Sequence, residues 1–140
     1  MNALVQKAEA YATEKHSGQV RKFGNMPYIE HLRRIAAKLA TLTYPDFVVA
    51  AAWLHDVVED TGTDFHDLEV AGFPQDVVKT VFTLTRGPSE SYALYIKRIK
   101  SEGSFYAQAI KKLDLEDNMS DLHPGSLLDK YELAYMYLSV

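Results

Sequence analysis

The sequence contains no cysteine, so the chain forms no disulfide and no thiolate metal site, and a reducing cytoplasm is the expected location. No apolar run approaches the ~18 residues that a membrane-spanning helix needs, so no membrane partner is expected. Met1–Val5 has no basic segment leading into an apolar stretch, and no secretory signal is visible. Glycine and proline number only 7 and 5 in 140 residues, and linkers or low-complexity segments are absent. We therefore expect residues 1–140 to form one domain.

The formal net charge is −4, but it is unevenly distributed along the chain. Residues 1–43 carry seven basic and three acidic residues, a net charge of +4, whereas residues 44–140 carry eight basic and sixteen acidic residues, a net charge of −8. A nucleic-acid-binding domain normally carries a net positive charge, so we expect no nucleic acid partner. The asymmetry has two explanations. It is either chance on a solvated surface, or it reflects a small anionic ligand held between a basic edge and a metal bound by acidic residues.

Apolar residues recur at helical spacing along almost the whole chain, and no segment alternates as a strand does. The helical segments are residues 2–16, 28–39, 45–60, 64–71, 74–82, 92–99, 105–113 and the stretch after Ser126. Within the third segment, Phe47 to Leu54 is apolar on every face, as helices at the centre of a domain are. The pattern predicts an all-α fold, a compact orthogonal bundle of about eight helices.

The most apolar helix ends in four ionisable residues, His55, Asp56, Glu59 and Asp60. If the helix continues through them, a rotation of about 100° per residue places all four within an arc of ~140°. Ionisable groups that are buried without partners are strongly destabilising, so something must compensate for them. A divalent cation is one such partner, and exposure of an ordinary helix end to solvent is the alternative.

Two further residues of metal-ligating type lie on apolar helix faces elsewhere in the chain. His31 lies at the edge of the apolar face of the second helix, and Asp114 lies on an apolar face near residue 113. Together with His55 and Asp56 they would form a site of two imidazoles and two carboxylates. That mixture suits Mn²⁺, Fe²⁺ or Zn²⁺ better than Ca²⁺, which prefers oxygen ligands.

Three stretches resemble a known family. Residues 16–31 contain HSGQVRK and PYIEH, which resemble a segment of the pattern H-x-G-Q-x-R-K followed by PYI-x-H. Residues 51–61, AAWLHDVVEDT, are similar to an A-x-LLHDVVEDT segment, and residues 112–122 resemble a KLAD-x-x-x-N-x-x-x-L segment. This order of motifs is typical of the HD-domain metal phosphohydrolases. The resemblance is closer to the hydrolase domain of RelA/SpoT-type proteins and to the stand-alone small alarmone hydrolases.

The resemblance implies an HD-type fold and Mn²⁺-dependent removal of the 3′-pyrophosphate from guanosine tetra- or pentaphosphate. At matching positions it implies His31, His55, Asp56 and Asp114 as metal ligands, Glu59 and Asp60 as a catalytic acid pair, Arg21 and Lys22 along the guanine base, and Asn118 near the nucleotide. The chemistry is consistent, because a metal makes water nucleophilic near neutral pH and carboxylates one helical turn away can move its protons.

Two alternatives stay open at the level of sequence. Ser120 stands where the alarmone hydrolases usually have an arginine, which favours another nucleotide or a phosphorylated dinucleotide cofactor as substrate. The altered segment 112–122 also fits a nucleotide-binding sensor that has lost turnover. In the last helix, Tyr131, Tyr135 and Tyr137 are expected to lie in the core or on the interface of a homodimer.

Overall fold

The computed structural model describes residues 2–22 and 24–140 and confirms the all-α expectation. Within these residues there is no strand, only one isolated antiparallel bridge between Val20 and Pro27. The described residues form nine helices: α1 (Ala3–Lys15), α2 (Tyr28–Thr41), α3 (Asp46–Leu54), α4 (Val57–Thr61), α5 (Phe65–Val70), α6 (Gln75–Leu84), α7 (Tyr92–Glu102), α8 (Phe105–Met119) and α9 (Ser126–Ser139).

Helix α3 lies at the centre of the bundle, as its uniformly apolar sequence predicts. Seven of its nine residues are buried, and it packs against α1, α2, α6 and α8. Three consecutive alanines, residues 50–52, leave room for the neighbouring helices to approach closely, because only a methyl group projects from each. The end of α3 is thereby fixed in the interior, where its next residues must find polar partners.

The expected continuation of this helix through residue 60 is wrong. Helix α3 ends at Leu54, a turn occupies His55 and Asp56, and a separate short helix begins at Val57, so the bundle has one more helix than expected. The His55 ring bonds to the Ala52 carbonyl at 2.6 Å, and the Asp56 backbone departs from helical values at φ −104° and ψ −1°. The four ionisable residues therefore do not share one face of a continuous helix.

Side-chain caps define several of the other helix ends. The Asn2 side chain accepts from the Val5 amide at the start of α1, and Ser91 and Ser104 do the same at the starts of α7 and α8. Gly62 ends α4 with φ 71°, a left-handed conformation that glycine adopts without a steric penalty. No helix in the described ranges is long and apolar enough to cross a membrane.

Candidate active site

Three separate parts of the fold bring His31, His55, Asp56 and Asp114 together. Helix α2 carries His31, the α3–α4 turn carries His55 and Asp56, and α8 carries Asp114. One ligand atom from each of the four lies within 4.8 Å of the others. The Asp114 Oδ1 atom is 2.8 Å from His31 Nε2 and 3.3 Å from His55 Nε2, and Asp56 Oδ2 is 3.2 Å from His55 Nε2. This group is called the four-residue cluster below.

The two imidazoles are oriented by partners on their far sides. His31 Nδ1 lies 2.6 Å from the Asp117 carboxylate, and His55 Nδ1 lies 2.6 Å from the Ala52 carbonyl. Because both partners are acceptors, a neutral ring at either position would carry its proton on Nδ1 and turn the Nε2 lone pair to the cluster. Two imidazole nitrogens and two carboxylates then face one point, and this donor set fits a divalent transition metal.

The charged groups of the cluster shift one another's pKa values. Burial alone would lower the pKa of His55, but Asp56 and Asp114 outweigh it and raise the pKa to about 9. Burial opposes protonation of His31 too, yet its bonds to Asp114 and Asp117 raise its pKa. Burial would raise the pKa of the Asp114 carboxyl, whereas Lys111 and the two imidazoles hold it well below its usual range. The cluster thus favours an ionised Asp114 carboxylate with positive charge beside it.

Two residues that the sequence reasoning missed hold the carboxylates of the cluster. Lys111 is buried, and its Nζ lies 2.8 Å from Asp114 Oδ2, the oxygen that does not face the imidazoles. The Tyr28 hydroxyl donates to Asp56 Oδ2 from the start of α2. Lys111 shares a face of α8 with Ala107 and Asp114, but a single lysine on a helix does not by itself indicate burial, because lysines are almost never fully buried unless they are paired.

Asp117 is another functional residue that the sequence reasoning missed. The residue is only 5% exposed, and its carboxylate accepts from Arg21 Nη1 at 2.5 Å and from Arg34 at 2.7 and 2.9 Å, in addition to its contact with His31. Burial would raise the pKa of the Asp117 carboxyl, but His31 and the two arginines hold it well below its usual range. Asp117 therefore links a ligand of the cluster to two guanidinium groups.

The three residues expected to bind substrate lie beside the cluster. Arg21, Lys22 and Asn118 line a cavity of about 520 Å³, together with Tyr28 and Asp60. Its volume is within the usual range for small-molecule sites, and it is called the cleft below. The Arg21 guanidinium is buried and also bonds to Asp121 at 2.8 Å and to Asn118 Oδ1 at 3.1 Å, so it is held in a fixed orientation at the cleft wall.

The side chains of Glu59 and Asp60 line different cavities, because neighbouring residues on a helix point about 100° apart. Asp60 lines the cleft and accepts from the Gln19 amide at 3.3 Å. Glu59 accepts from the Arg86 backbone amide and lines a second cavity of about 1060 Å³. Burial raises the pKa of both carboxyls, and the charge of Asp56 raises each of them further. The two acids thus flank the four-residue cluster rather than pointing into one pocket.

Comparisons with known proteins find several that are similar to this chain. The model of the HD domain family matches residues 8–113. A guanosine-3′,5′-bis(diphosphate) 3′-pyrophosphohydrolase of Aquifex aeolicus is 40% identical over 82 residues, which are 59% of this chain and 12% of that protein. The enzyme of the same name from Xenopus tropicalis, MESH1, is 41% identical over 87 residues, 59% of this chain and 48% of that protein.

A solved structure is also similar. It belongs to a metazoan ortholog of SpoT that hydrolyses ppGpp and plays a role in starvation responses, and its TM-score is 0.79. The sequence identity is 28%, and the match covers 99% of this chain and 83% of that chain. The curated relatives are longer: this chain spans about an eighth of the Aquifex protein and about half of MESH1.

Proposed function

Because the chain belongs to the HD domain family, we propose that it is a metal-dependent phosphohydrolase that removes the 3′-pyrophosphate from guanosine 3′,5′-bis(diphosphate). The observation that carries the proposal is the four-residue cluster, whose ligand atoms lie within 4.8 Å of one another at the edge of a cleft of nucleotide size. The names and activities of the similar proteins support this choice of substrate.

We propose that the metal is Mn²⁺, held by His31, His55, Asp56 and Asp114. Mixed nitrogen and oxygen ligands suit this ion, and the Nδ1 partners of both imidazoles leave Nε2 free to bind it. The chemistry that a divalent metal supplies in such a site is Lewis acidity, which polarises phosphoryl oxygens and makes water a stronger nucleophile. Lys111 holds the Asp114 carboxylate by binding Oδ2, which faces away from the imidazoles. Tyr28 holds the Asp56 carboxylate by donating to its Oδ2.

The acid pair moves the protons of the reaction. Hydrolysis forms a bond from a water oxygen to phosphorus and breaks the bond from that phosphorus to the ribose 3′-oxygen. The water loses one proton and the 3′-oxygen gains one, so the products are GDP and pyrophosphate. Asp60 is oriented by Gln19 at the cleft and Glu59 by the Arg86 amide on the other side, so one carboxyl can accept a proton while the other donates one.

The nucleoside lies in the cleft in this proposal. The planar guanidinium of Arg21 is fixed by Asp117, Asp121 and Asn118, which presents a rigid surface on which a base can stack. Lys22 lines the same wall and is exposed. Asn118 contacts both Arg21 and Asp114, so it lies between the base-binding wall and the cluster.

Removal of one cluster ligand tests the proposal. We expect His55→Ala and Asp56→Ala to lose the bound metal and to lower turnover of guanosine 3′,5′-bis(diphosphate) in Mn²⁺ by at least about 10³-fold. Elemental analysis and release of pyrophosphate are the measurements, and helical circular dichroism should stay near that of the wild type. His66→Ala, at an exposed histidine outside the cluster, is the matched control and should keep full activity. Turnover by a metal-free variant would contradict the mechanism.

A second candidate is hydrolysis of another nucleotide or of a phosphorylated dinucleotide cofactor. The Ser120 hydroxyl donates to the Asp117 carbonyl at 2.6 Å, so this position supplies no positive charge to a phosphate group. Rates over a panel of nucleotides separate the two candidates, since a highest rate on a substrate without a 3′-phosphate would reject the first. Binding without any turnover in excess Mn²⁺ would instead identify a sensor.

The location and assembly of the protein are further parts of the proposal. A cytoplasmic location rests on the absence of cysteine, and a small-molecule nucleotide is the proposed partner. A homodimer through α9 rests on Leu133, Met136 and Tyr137, which are exposed on that helix. Light scattering of the purified protein tests the dimer.

A further inference from the structure

Lys130 is a cation of the cleft whose charge no carboxylate balances. It lies on α9 and lines the cleft together with Asp60 and Asn118. Its ammonium group lies 4.1 Å from the centre of the Tyr92 ring, which is close enough for a cation–π contact. Among the ion pairs formed by the described residues, none includes Lys130. Its positive charge is therefore available to a ligand.

A second cation rests against the same aromatic ring. The guanidinium carbon of Arg86 lies 5.8 Å from the centre of the Tyr92 ring, and its Nε donates to the Glu90 carbonyl at 2.7 Å. Burial lowers the pKa of Lys130, and the positive charges of Arg86 and Lys111 lower it further. Like charges that converge in this way repel one another, and a bound anion relieves the repulsion.

The other charges of the cleft make this position important for an anionic ligand. The guanidinium of Arg21 is already bound by Asp117 and Asp121, at 2.5 and 2.8 Å. Asp60 and Asp121 line the cleft as carboxylates and repel phosphate groups. A nucleotide with several phosphates needs a compensating cation. Lys130 lines the cleft, and none of the ion pairs of the described residues occupies its ammonium group.

We propose that Lys130 forms a subsite in the cleft for a phosphate group of the nucleotide that is not cleaved, and that Arg86, which lines the second cavity and contacts the same Tyr92 ring, adds positive charge nearby. The role of this subsite in the reaction rests on the proposed function. The subsite predicts a nucleotide substrate that carries phosphate at a position other than the cleaved one. The ammonium group binds that phosphate as a point charge and Arg86 strengthens the field around it. Lys130 thereby distinguishes bis-phosphorylated nucleosides from those phosphorylated only at the cleaved position.

Equilibrium binding tests the subsite without turnover. GDP and guanosine are titrated by calorimetry into the purified protein in EDTA, so that no metal contributes. We expect Lys130→Gln to weaken GDP binding about tenfold and to change guanosine binding by less than about twofold. Lys97→Gln is the matched control, because Lys97 lines an apolar groove together with Tyr92 and Lys130 but does not line the cleft. It should leave both affinities unchanged.

Kinetics on the loaded enzyme gives the second readout. With guanosine 3′,5′-bis(diphosphate), Lys130→Gln should raise KM about tenfold at nearly constant kcat, and Lys130→Arg should restore most of the loss because it keeps the charge. Equal GDP affinity of the wild type and Lys130→Gln, or no GDP binding by the wild type, would overturn the subsite. Failure of the wild type to hydrolyse the nucleotide, with GDP binding still dependent on Lys130, would overturn only the proposed function.

Discussion

Asp117 joins the four-residue cluster to the loop that borders the cleft. One of its oxygens is hydrogen-bonded to His31 Nδ1 at 2.6 Å, and the same carboxylate binds Arg21 from the loop and Arg34 from α2. A buried carboxylate with three charged or polar donors costs little to ionise, since its negative charge is offset on every side. A change at this residue therefore acts on a metal ligand and on the substrate wall together.

Neutralisation of Asp117 tests this coupling. Asp117→Asn keeps the shape of the side chain but removes the charge that orients His31, so we expect Mn²⁺ affinity to fall about 10–100-fold. Titration of Mn²⁺ by calorimetry measures the effect. Asp121→Asn removes only the other, more exposed partner of Arg21 and should leave the metal affinity near wild type. An unchanged Mn²⁺ affinity in Asp117→Asn would show that Asp117 does not position the imidazole.

Between secondary-structure elements, Arg98 fixes the connection from α6 to α7. Its guanidinium binds both Glu90 oxygens, at 2.8 and 3.0 Å, and the carbonyls of Thr83 and Thr85 at 3.0 and 3.1 Å. The same connection carries Arg86, whose backbone amide binds Glu59. The position of one proposed proton-transfer group thus depends on an ion pair in a loop that borders the second cavity.

The pH dependence of stability tests this ion pair. The bonds from Arg98, together with the Gly87 amide, lower the pKa of Glu90 to about 2, below the ~4.3 of an unfolded chain. A lowered folded pKa stabilises the protein above the unfolded pKa, and this contribution is lost as the pH falls towards 2.

We expect Glu90→Gln to lower the free energy of unfolding by about 1 kcal/mol at pH 7, and by about half of that at pH 3. Urea denaturation at the two pH values measures the difference. Glu69→Gln, at an exposed glutamate of α5, should cost little at either pH. A loss in Glu90→Gln that is the same at both pH values would contradict the ion-pair explanation.

Helical periodicity predicted the elements well but not the break that shapes the site. Apolar spacing marks the cores of the long helices because burial of one face determines both the spacing and the packing. The turn at His55 and Asp56 is accompanied by a local bond between the His55 ring and the Ala52 carbonyl, and by long-range contacts of His55 with Asp114 and of Asp56 with Tyr28. Local sequence contains no signal for such a break, so the ~140° arc predicted for a continuous helix was wrong.

At the scale of the whole molecule, the convergence of α2, the α3–α4 turn and α8 followed from residue types and motif order. His31 and Asp114 lie on apolar helix faces and Asp56 follows the end of the most apolar helix, a pattern that favours a shared partner. The supporting residues Lys111 and Arg34 could not be predicted in the same way. Charged side chains are ordinary on helices, and only the packed structure shows that these two reach a buried carboxylate.

A metal that binds these three parts of the fold should also stabilise the whole domain. The ligands come from elements that are far apart in sequence, so binding favours the folded chain over an unfolded one that holds no preformed site. At a free Mn²⁺ concentration of about 100 times the dissociation constant, binding adds ~2.7 kcal/mol. For a domain of this size that corresponds to a rise in Tm of about 5–10 °C.

Differential scanning calorimetry in Mn²⁺ and in EDTA measures this shift. His55→Ala should abolish it, because an alanine leaves three ligands and an incomplete donor set, whereas His123→Ala, at an exposed histidine after α8, should keep the full shift. If wild type and His55→Ala showed the same Tm change, Mn²⁺ would be binding somewhere other than the four-residue cluster. The proposed hydrolysis would then have no site at which the metal, the acid pair and the cleft meet.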